Sequence, residues 1–148
     1  MKAVIQRVRS ASVTAAGREV ARIGSGLVAL VGFSAQETPA TTDMPRIARR
    51  ILTLRIFDDD AGRLNQSLEE VQGELLVIPQ ITLMASLTNG TRPSFHTAAS
   101  PKEAKALYEA LVSAIKAVYP HVSIGIFQAE MVVALENDGP VTFVLENP

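Results

Sequence analysis

Strand-forming segments recur along almost the whole of this 148-residue sequence, and they limit the possible folds more than any other feature. Apolar residues alternate in 3–8 and in 18–23, and the intervening Ala16-Gly17 is typical of a tight turn, so the sequence predicts a β-hairpin. The run 27–33 is apolar without alternation, which indicates a strand that is buried on both faces. Further strands are predicted over 74–84, 122–127, 131–136 and 141–145.

Two segments have the periodicity of a helix instead. In 42–54 the apolar residues recur at helical spacing, and Pro45 falls in the first turn, where its missing N–H does no harm. A capping box formed by Ser100 and Glu103 begins the second helix, whose apolar stripe extends to Val118.

The two predicted helices are separated by strands, which is typical of an α+β fold. We expect a mostly antiparallel sheet or partly closed barrel with two helices packed against it. No linker, internal repeat or low-complexity tract interrupts the chain, so the sequence predicts a single domain over residues 1–148.

The composition excludes several kinds of chemistry. There is no cysteine and there are only two histidines, so disulfides, thiolate nucleophiles and Cys-ligated metal sites are ruled out, and neither a metal nor a cofactor is predicted. A net charge of -1 gives no broad electrostatic grip on a duplex, so we expect no DNA partner, whereas contact with a short single strand stays open. No stretch reaches about 18 uninterrupted apolar residues and no signal peptide is apparent, which predicts a cytoplasmic protein with no membrane partner.

Few side chains are candidates for catalysis, and most have an ordinary structural explanation. The triplet 58–60, Asp-Asp-Asp, lacks the ligand alternation of a calcium loop and is typical of a solvated turn. His96 lies in a polar loop and His121 lies beyond a helix end, so both are interpreted as ordinary surface residues. One face of the first predicted helix carries a stripe of arginines, Arg46, Arg49 and Arg50. This stripe is either the solvated side of the helix or a patch that contacts phosphates.

Two short segments have less ordinary patterns. In 79–83, Pro-Gln-Ile-Thr-Leu, a proline and two polar side chains interrupt a predicted strand, so the proline marks an edge, a bulge or a functional bend. Thr82 and Ser94 carry hydroxyls, yet no histidine–aspartate arrangement is visible to activate either one. The segment 137–142, Asn-Asp-Gly-Pro-Val-Thr, is typical of a hairpin turn, and a binding loop with fixed backbone carbonyls is the alternative.

Several motifs, in their order along the chain, resemble the D-aminoacyl-tRNA deacylase family over essentially the whole length. The most specific is 137–142, which fits the family pattern Asn-x-Gly-Pro-Val-Thr without a mismatch. The other similar segments are 1–8, 11–13, 23–27, 50–57 and 92–95.

The resemblance implies a homodimeric enzyme that hydrolyses the ester between a D-amino acid and the 3′-terminal adenosine of tRNA, and that also accepts glycyl-tRNA. In this family the Gly-Pro bond is cis and reaches into the active site of the partner subunit. The carbonyls of Gly139 and Pro140 would then meet the α-amino group of the substrate, and an L side chain would be rejected by a clash. The ribose 2′-OH helps to activate water, and backbone N–H groups face the developing oxyanion.

The resemblance also implies roles for individual residues. Arg7 matches the arginine that braces the Gly-Pro pair with its fixed fork of donors. Phe127 matches the residue that stacks on the terminal adenosine, and Met131 lies near it in the family. The implied catalytic positions are Gln80, Ile81 and Thr82, with direct attack by Thr82 as the alternative mechanism. The implied substrate-binding positions are Arg7, Pro79, Phe127, Met131, Asn137, Gly139 and Pro140.

One residue departs from the family pattern. Pro79 stands where the family has serine, which removes both a hydroxyl and an N–H. Pro79-Gln80 also resembles a paralogous branch, the animalia-specific tRNA deacylase, which has a trans Gly-Pro bond and tolerates L-alanine. Because Arg7 acts on the Gly-Pro pair itself, we expect the D-specific activity. A relaxed deacylase and a non-catalytic module that binds the tRNA end are the alternatives.

Overall fold

The structure is a computed structural model that describes residues 1–88 and 90–146. The last two residues of the single domain predicted over 1–148, Asn147 and Pro148, therefore lie outside the described part. The elements in chain order are β1 (Lys2–Ala15), β2 (Arg18–Ile23), β3 (Gly26–Gly32), α1 (Met44–Leu52), β4 (Phe57–Asp58), β5 (Leu64–Gln66), α2 (Leu68–Val71), β6 (Glu74–Pro79), a 3₁₀ helix (Ile81–Met84), α3 (Pro101–Lys116), β7 (Val122–Ile124) and β8 (Met131–Glu146).

The long strand β1 organises the main sheet. One of its edges pairs with β8, and the other pairs first with β3 and then with β2, always antiparallel. Strand β6 then pairs with β3, and β7 with β6, both in parallel. The sheet is therefore mixed and curls into a nearly closed barrel, so the predicted α+β class is confirmed, whereas the two parallel pairings were not predicted.

Strand β3 is buried on both faces, as its unbroken apolar run predicted. Leu27, Ala29 and Val31 face the larger core cluster, which includes the apolar sides of α1 and α3. Val28 points the other way, into a smaller cluster with Leu76 of β6 and residues of β1 and β8. Alternate residues of β3 thus join two cores on opposite sides of one sheet, because successive side chains of a strand point to opposite faces.

The hairpin between β1 and β2 is confirmed. Ala16 and Gly17 both have positive φ, 49° and 72°, which is the backbone that a two-residue turn with the twist of its strands requires. Gly17 adopts this conformation at no steric cost. The turn fixes the register of β2 against the C-terminal half of β1.

The predicted helix starts are confirmed, and the structure adds one helix. The Asp43 carboxylate accepts the Arg46 N–H at 3.0 Å before α1, and Ser100 caps α3 together with Glu103. Helix α2, a single turn with its own capping box, was not predicted, because four residues are too few to show periodicity. Val118 was wrongly assigned to the apolar stripe, since α3 ends at Lys116 and Val118 is exposed. No helix in the described ranges is long and apolar enough to cross a membrane.

Three predicted strand boundaries were wrong. The strand expected over 74–84 ends at Pro79, since a 3₁₀ helix follows, and the strand expected over 122–127 ends at Ile124. The hairpin turn expected around Asn137 is absent from the described chain, where 131–146 form one strand along β1. The turn-like residues instead bulge out of β8, because β1 holds the strand on both sides of them.

We predict that Gly26→Ala strongly destabilises this fold. A Cβ at Gly26 would lie 1.8 Å from the Glu74 carbonyl oxygen, where β3 and β6 begin their parallel pairing. We expect the free energy of unfolding to fall by about 3 kcal/mol, measured by urea denaturation. Gly62→Ala is the control, because Gly62 has open space and only its φ of +70° is unfavourable, at a cost of about 1 kcal/mol. Equal losses in the two variants would contradict the prediction.

Candidate active site

A cavity of about 390 Å³ opens where β6 ends. Its walls come from the 3₁₀ helix, the first turns of α3, the end of β3 and the loop between β7 and β8. Five of the predicted site residues line it: Pro79, Gln80, Ile81, Phe127 and Met131. Sequence positions some fifty residues apart are thus brought together, and the volume lies within the range of about 300 to 1,000 Å³ that is usual for ligand pockets.

Pro79 is the bend at the rim of this cavity. The ladder from β6 to β7 ends with the Gly125 N–H donating to the Val77 carbonyl at 2.8 Å, so a missing N–H at Pro79 breaks no sheet hydrogen bond. Of the three predicted alternatives, the structure shows a bend, and its functional role stays a prediction. The next residue, Gln80, donates its backbone N–H to the Val31 carbonyl at 2.7 Å, and this contact fixes the start of the 3₁₀ helix.

The bend leaves two backbone donors available. Within the part of the chain that the structure describes, the N–H groups of Ile81 and Thr82 donate to no acceptor, as expected for the first residues of a helix. Both residues are exposed. Such donors can stabilise a developing negative charge on a bound substrate.

Thr82 itself has no group that would activate its hydroxyl. Its oxygen accepts a hydrogen bond from the side-chain amide of Gln80, and this amide nitrogen is a donor that takes up no proton. Among the described residues no histidine or carboxylate contacts the Thr82 hydroxyl. The structure therefore gives no support to direct attack by Thr82.

Tyr108 of α3 holds two walls of the cavity together. Its hydroxyl lies 3.0 Å from the Val77 carbonyl of β6 and 3.3 Å from the Gly125 carbonyl of the loop after β7. Burial raises the pKa of this hydroxyl well above its ordinary value, so it stays a donor. Its ring packs against Phe127 with 6.1 Å between centroids. Tyr108 was not among the predicted site residues, although a tyrosine within an apolar helical stripe was a usable signal.

Met131 supports the same loop from β8. Its sulfur accepts the Ile126 N–H at 3.3 Å, and a Cβ at Gly125 would lie 3.2 Å from it. The loop that carries Phe127 is therefore held by Tyr108 from one side and by Met131 from the other. Phe127 itself is half-buried, so one part of its ring faces the cavity.

A second group of predicted residues surrounds the bulge of β8. Gln6 and Val8 of β1 pair with Thr142 and Asn137, so residues 138–141 have no partners in the ladder and bulge out opposite Arg7. We call residues 138–141 the bulge. The peptide bond between Gly139 and Pro140 is cis, as the resemblance implies, and both residues are exposed.

Arg7 anchors this bulge from below. Its Nε donates to the Asp138 carbonyl at 3.0 Å, and its Nη1 donates to the Ile56 carbonyl at 3.0 Å. The carboxylates of Asp58 and Asp138 lie 3.3 Å and 3.6 Å away, so the buried guanidinium is both paired and hydrogen-bonded. Removing one partner of such a buried charge is strongly destabilising.

Asn137 closes the bulge at its base. Its Oδ1 accepts the Val141 N–H at 2.6 Å, and its Nδ2 donates to the Thr142 hydroxyl at 3.0 Å. At Gly139 the φ is +138°, and a Cβ on this residue would lie 2.6 Å from Val141 Cγ2, so the position has room only for glycine. The residue types of the 137–142 motif are thus explained by the shape of this one loop.

Within one chain the two groups do not form one site. Neither Arg7 nor Asn137, Gly139 or Pro140 lines the cavity that Phe127 lines. The bulge instead stands beside a smaller cavity of about 310 Å³ with Arg7 and Asp58 in its wall.

The remaining candidates have structural roles. Arg49 of the arginine stripe pairs with Glu69 of α2 at 3.0 Å, so at least one of the three arginines has a protein partner. His121 is exposed and packs edge-on against Tyr119, and Asp59 caps the turn between β4 and β5. In the ranges 1–88 and 90–146, no group of three or more His, Asp or Glu side chains is placed to hold a metal ion.

A cavity with free backbone donors, an aromatic wall and no activated side-chain nucleophile among the described residues is typical of an enzyme that positions its substrate for attack by water. Comparison with known proteins identifies the class. The family model described as D-Tyr-tRNA(Tyr) deacylase matches residues 4–146. The chain therefore belongs to the D-aminoacyl-tRNA deacylase family and is a hydrolase.

Individual relatives agree with this assignment. The chain is 48% identical to the D-aminoacyl-tRNA deacylase of Ectopseudomonas mendocina and 49% identical to that of Azotobacter vinelandii, with 99% of both chains covered in each case. A solved structure named c-Myc DNA Unwinding Element Binding Protein has a TM-score of 0.92, 37% identity and coverage of 100% and 99%. A structure described as a probable eukaryotic D-amino acid tRNA deacylase, at 18% identity, has the same fold, with a TM-score of 0.84 and 97% of both chains covered.

We predict that Tyr108→Phe impairs catalysis as well as stability. Loss of the hydroxyl removes the bridge between the two cavity walls, so we expect about 1 kcal/mol less stability together with slower turnover of a D-aminoacyl-tRNA substrate. Tyr119→Phe is the matched control, since the Tyr119 hydroxyl donates to the carbonyls of Leu68 and Gly73, which do not line the cavity. If both variants lose stability but keep full turnover, Tyr108 has no role in positioning the site.

Proposed function

We propose that this protein hydrolyses the ester of D-aminoacyl-tRNA, and of glycyl-tRNA, and releases the free amino acid and tRNA. We further propose that it works as a homodimer in which the cavity of one subunit is completed by the bulge of the other. The observation that carries this proposal is the separation of the two halves. The cavity and the rigid Gly139-Pro140 bulge are both fully built, yet one chain does not bring them together.

The cavity suits the 3′-terminal adenosine of tRNA. A purine can stack on the half-buried ring of Phe127, which Tyr108 and Met131 hold in place, and one stacked base contributes about 1–3 kcal/mol. The cavity stays open beside Pro79, which argues against a module that has lost its pocket. A family enzyme that keeps its pocket and its backbone donors is better explained as active.

The bulge suits the selection of chirality. Gly139 and Pro140 are exposed, and Arg7 and Asn137 hold the chain on both sides of them, so their carbonyls are rigidly placed to receive an α-amino group. The side chain of a D-amino acid then points away from the protein, and glycine has no side chain. The side chain of an L-amino acid would point into the protein and clash with it. Because Arg7 and Asn137 hold this bulge independently of Pro79, we favour D-specificity over the relaxed activity towards L-alanine.

The proposed chemistry needs no protein nucleophile. Water attacks the ester carbonyl carbon, the carbonyl oxygen becomes an oxyanion, and the N–H groups of Ile81 and Thr82 donate to it. The ribose 2′-OH of the substrate helps to remove the proton from water. The bond to the 3′-oxygen then breaks, and that oxygen leaves with a proton. The Gln80 side-chain amide donates to the Thr82 hydroxyl and so fixes the Thr82 side chain next to these donors.

The edge of β8 supports the proposed dimer. Within the described sheet β8 pairs only with β1, and it exposes Val132, Phe143 and Val144. An exposed apolar edge strand is a ready surface for another copy of the chain. The exposed strand carries the bulge itself, so a partner that covers this strand also receives Gly139 and Pro140.

The proposed nucleic-acid partner is the 3′ end of tRNA, in the cytoplasm, and neither DNA nor a membrane. One structural relative is named as a DNA-element binding protein, but a net charge of -1 does not favour binding to a duplex. A single-stranded end that enters a cavity needs few phosphate contacts.

The substrate proposal is tested by the single-turnover hydrolysis of four esters: D-tyrosyl-, L-tyrosyl-, glycyl- and L-alanyl-tRNA. We expect rapid loss of the D-tyrosyl and glycyl esters only. Rapid loss of the L-alanyl ester as well would assign the protein to the relaxed activity. Rates equal to those without enzyme for all four esters would leave a binding module.

The shared site is tested by mixing two inactive variants. Phe127→Ala damages the cavity and Gly139→Ala damages the bulge, so each homodimer has only damaged sites. In an equal mixture half of the dimers are mixed, and one of the two sites in each mixed dimer has both intact parts. We therefore expect about a quarter of the wild-type activity after the subunits exchange. No recovery, with exchange shown by native mass spectrometry, would place cavity and bulge in separate roles.

A further inference from the structure

The segment 92–102 lies between the 3₁₀ helix at the cavity and the first turn of α3, and it has an unusual charge distribution. No Asp or Glu occurs between Glu74 and Glu103, although the charges of the whole chain nearly balance. Within that interval lie Arg92, His96 and Lys102. Between Glu74 and Glu103 the chain therefore carries cationic and neutral side chains only, and the Glu103 carboxylate is bound in the Ser100 capping box.

This segment is hydrogen-bonded to two elements that contribute residues to the cavity, the 3₁₀ helix with the residues after it and the end of β3. Ser94 and Ser86 exchange backbone hydrogen bonds of 2.8 and 3.0 Å shortly after the 3₁₀ helix, and the Thr97 hydroxyl donates to the Met84 carbonyl at 2.9 Å. At the other end, the Ala99 N–H donates to the carbonyl of Phe33, which lines the cavity. The segment is thus held against the cavity rim.

The side chains of Arg92, Phe95 and His96 are accessible to solvent. Residues 91–97 are all exposed, and Phe95 keeps 43% of its surface accessible. Arg92 forms no ion pair with any described residue, and His96 is held by the Ser94 hydroxyl at 2.8 Å. An exposed aromatic ring and, three residues before it, an unpaired guanidinium lie in a segment without acidic residues, and they offer the two properties that bind single-stranded nucleic acid: a stacking surface and a phosphate partner.

We propose that Arg92 and Phe95 form a binding surface for the single-stranded nucleotides that precede the terminal adenosine. This inference rests on the proposed function, because it requires the adenosine to occupy the cavity. Phe95 stacks on a base just outside the cavity, and Arg92 contacts a phosphate of the same strand. This surface binds the RNA strand and takes no part in ester cleavage.

The test compares two substrates with the variants Phe95→Ala and Arg92→Gln. One is full D-tyrosyl-tRNA, and the other is 3′-D-tyrosyl-adenosine, which has the ester and the cavity-binding nucleoside but no further nucleotides. For Phe95→Ala we expect the half-saturating concentration of the tRNA substrate to rise about 5- to 100-fold, as for one lost stacking contact. Cleavage at saturation, and cleavage of the adenosine ester, should stay within about twofold of wild type, because neither involves this surface.

Salt dependence separates the role of Arg92 from a general loss of charge. The ligand is an RNA oligonucleotide that ends in the tRNA 3′ sequence, and its affinity is measured at several salt concentrations. For Arg92→Gln we expect the slope of log affinity against log salt to become shallower by about 0.7, as for one lost phosphate contact with a single strand. Lys116→Gln is the matched control, since it removes one charge at the other end of α3, on the order of 20 Å from the cavity. The control should keep the wild-type slope.

Three outcomes would overturn the inference. These are equal losses on both substrates, unchanged binding of the RNA in both variants, and a shift of the dimer to monomer in Phe95→Ala, which would make this surface a subunit contact. Failure of the proposed function gives a different result. In that case the wild-type protein itself leaves 3′-D-tyrosyl-adenosine uncleaved.

Discussion

The hydrogen bonds of the buried Arg7 guanidinium are the interaction on which the rest of this structure depends. Arg7 lies on β1, the strand that pairs with three others, and it contacts the carbonyls of Ile56 and Asp138 as well as two carboxylates. One side chain therefore connects the centre of the sheet, the strand after α1 and the bulge of β8. An apolar residue could pack there, but it would remove the donor that the Ile56 and Asp138 carbonyls share.

The half of the molecule that contains the cavity depends on a different constraint, the end of the parallel pairing. Strand β6 is hydrogen-bonded to β3 and β7 only as far as its last residues, and the chain then bends at Pro79. Beyond the bend, the N–H groups of Ile81 and Thr82 donate to no described acceptor instead of continuing the hydrogen bonding of the sheet. Tyr108 compensates for the end of the ladder by connecting β6 to the loop after β7 with one hydroxyl. The site is thus built where the regular hydrogen bonding stops.

Patterns of neighbouring residues in the sequence predicted much of this fold. Where these patterns gave the wrong element, pairing with a distant strand is the reason. The hairpin at Gly17, the caps of both long helices and the two-sided burial of β3 follow from neighbouring residues, and each is confirmed. The segment 137–142 was interpreted from its local pattern as a turn, but pairing of both its flanks with β1 turned it into a bulge. The site residues came from a motif resemblance, and Tyr108 was missed because its role depends on contacts far along the chain.

Strand β8 extends from the cavity to the bulge without a break, and this continuity has a consequence for how the protein can evolve. Met131 supports the cavity, and Gly139 lies eight residues further along the same strand, on the order of 26 Å away at 3.3 Å per residue. In the proposed dimer, the length of each β8 therefore fixes the distance between two active sites, that of its own subunit and that of the partner. Inserting or deleting one residue in this strand would reverse the faces of everything beyond it and damage both sites together. Natural variation in β8 should consequently be restricted to substitutions that preserve its length.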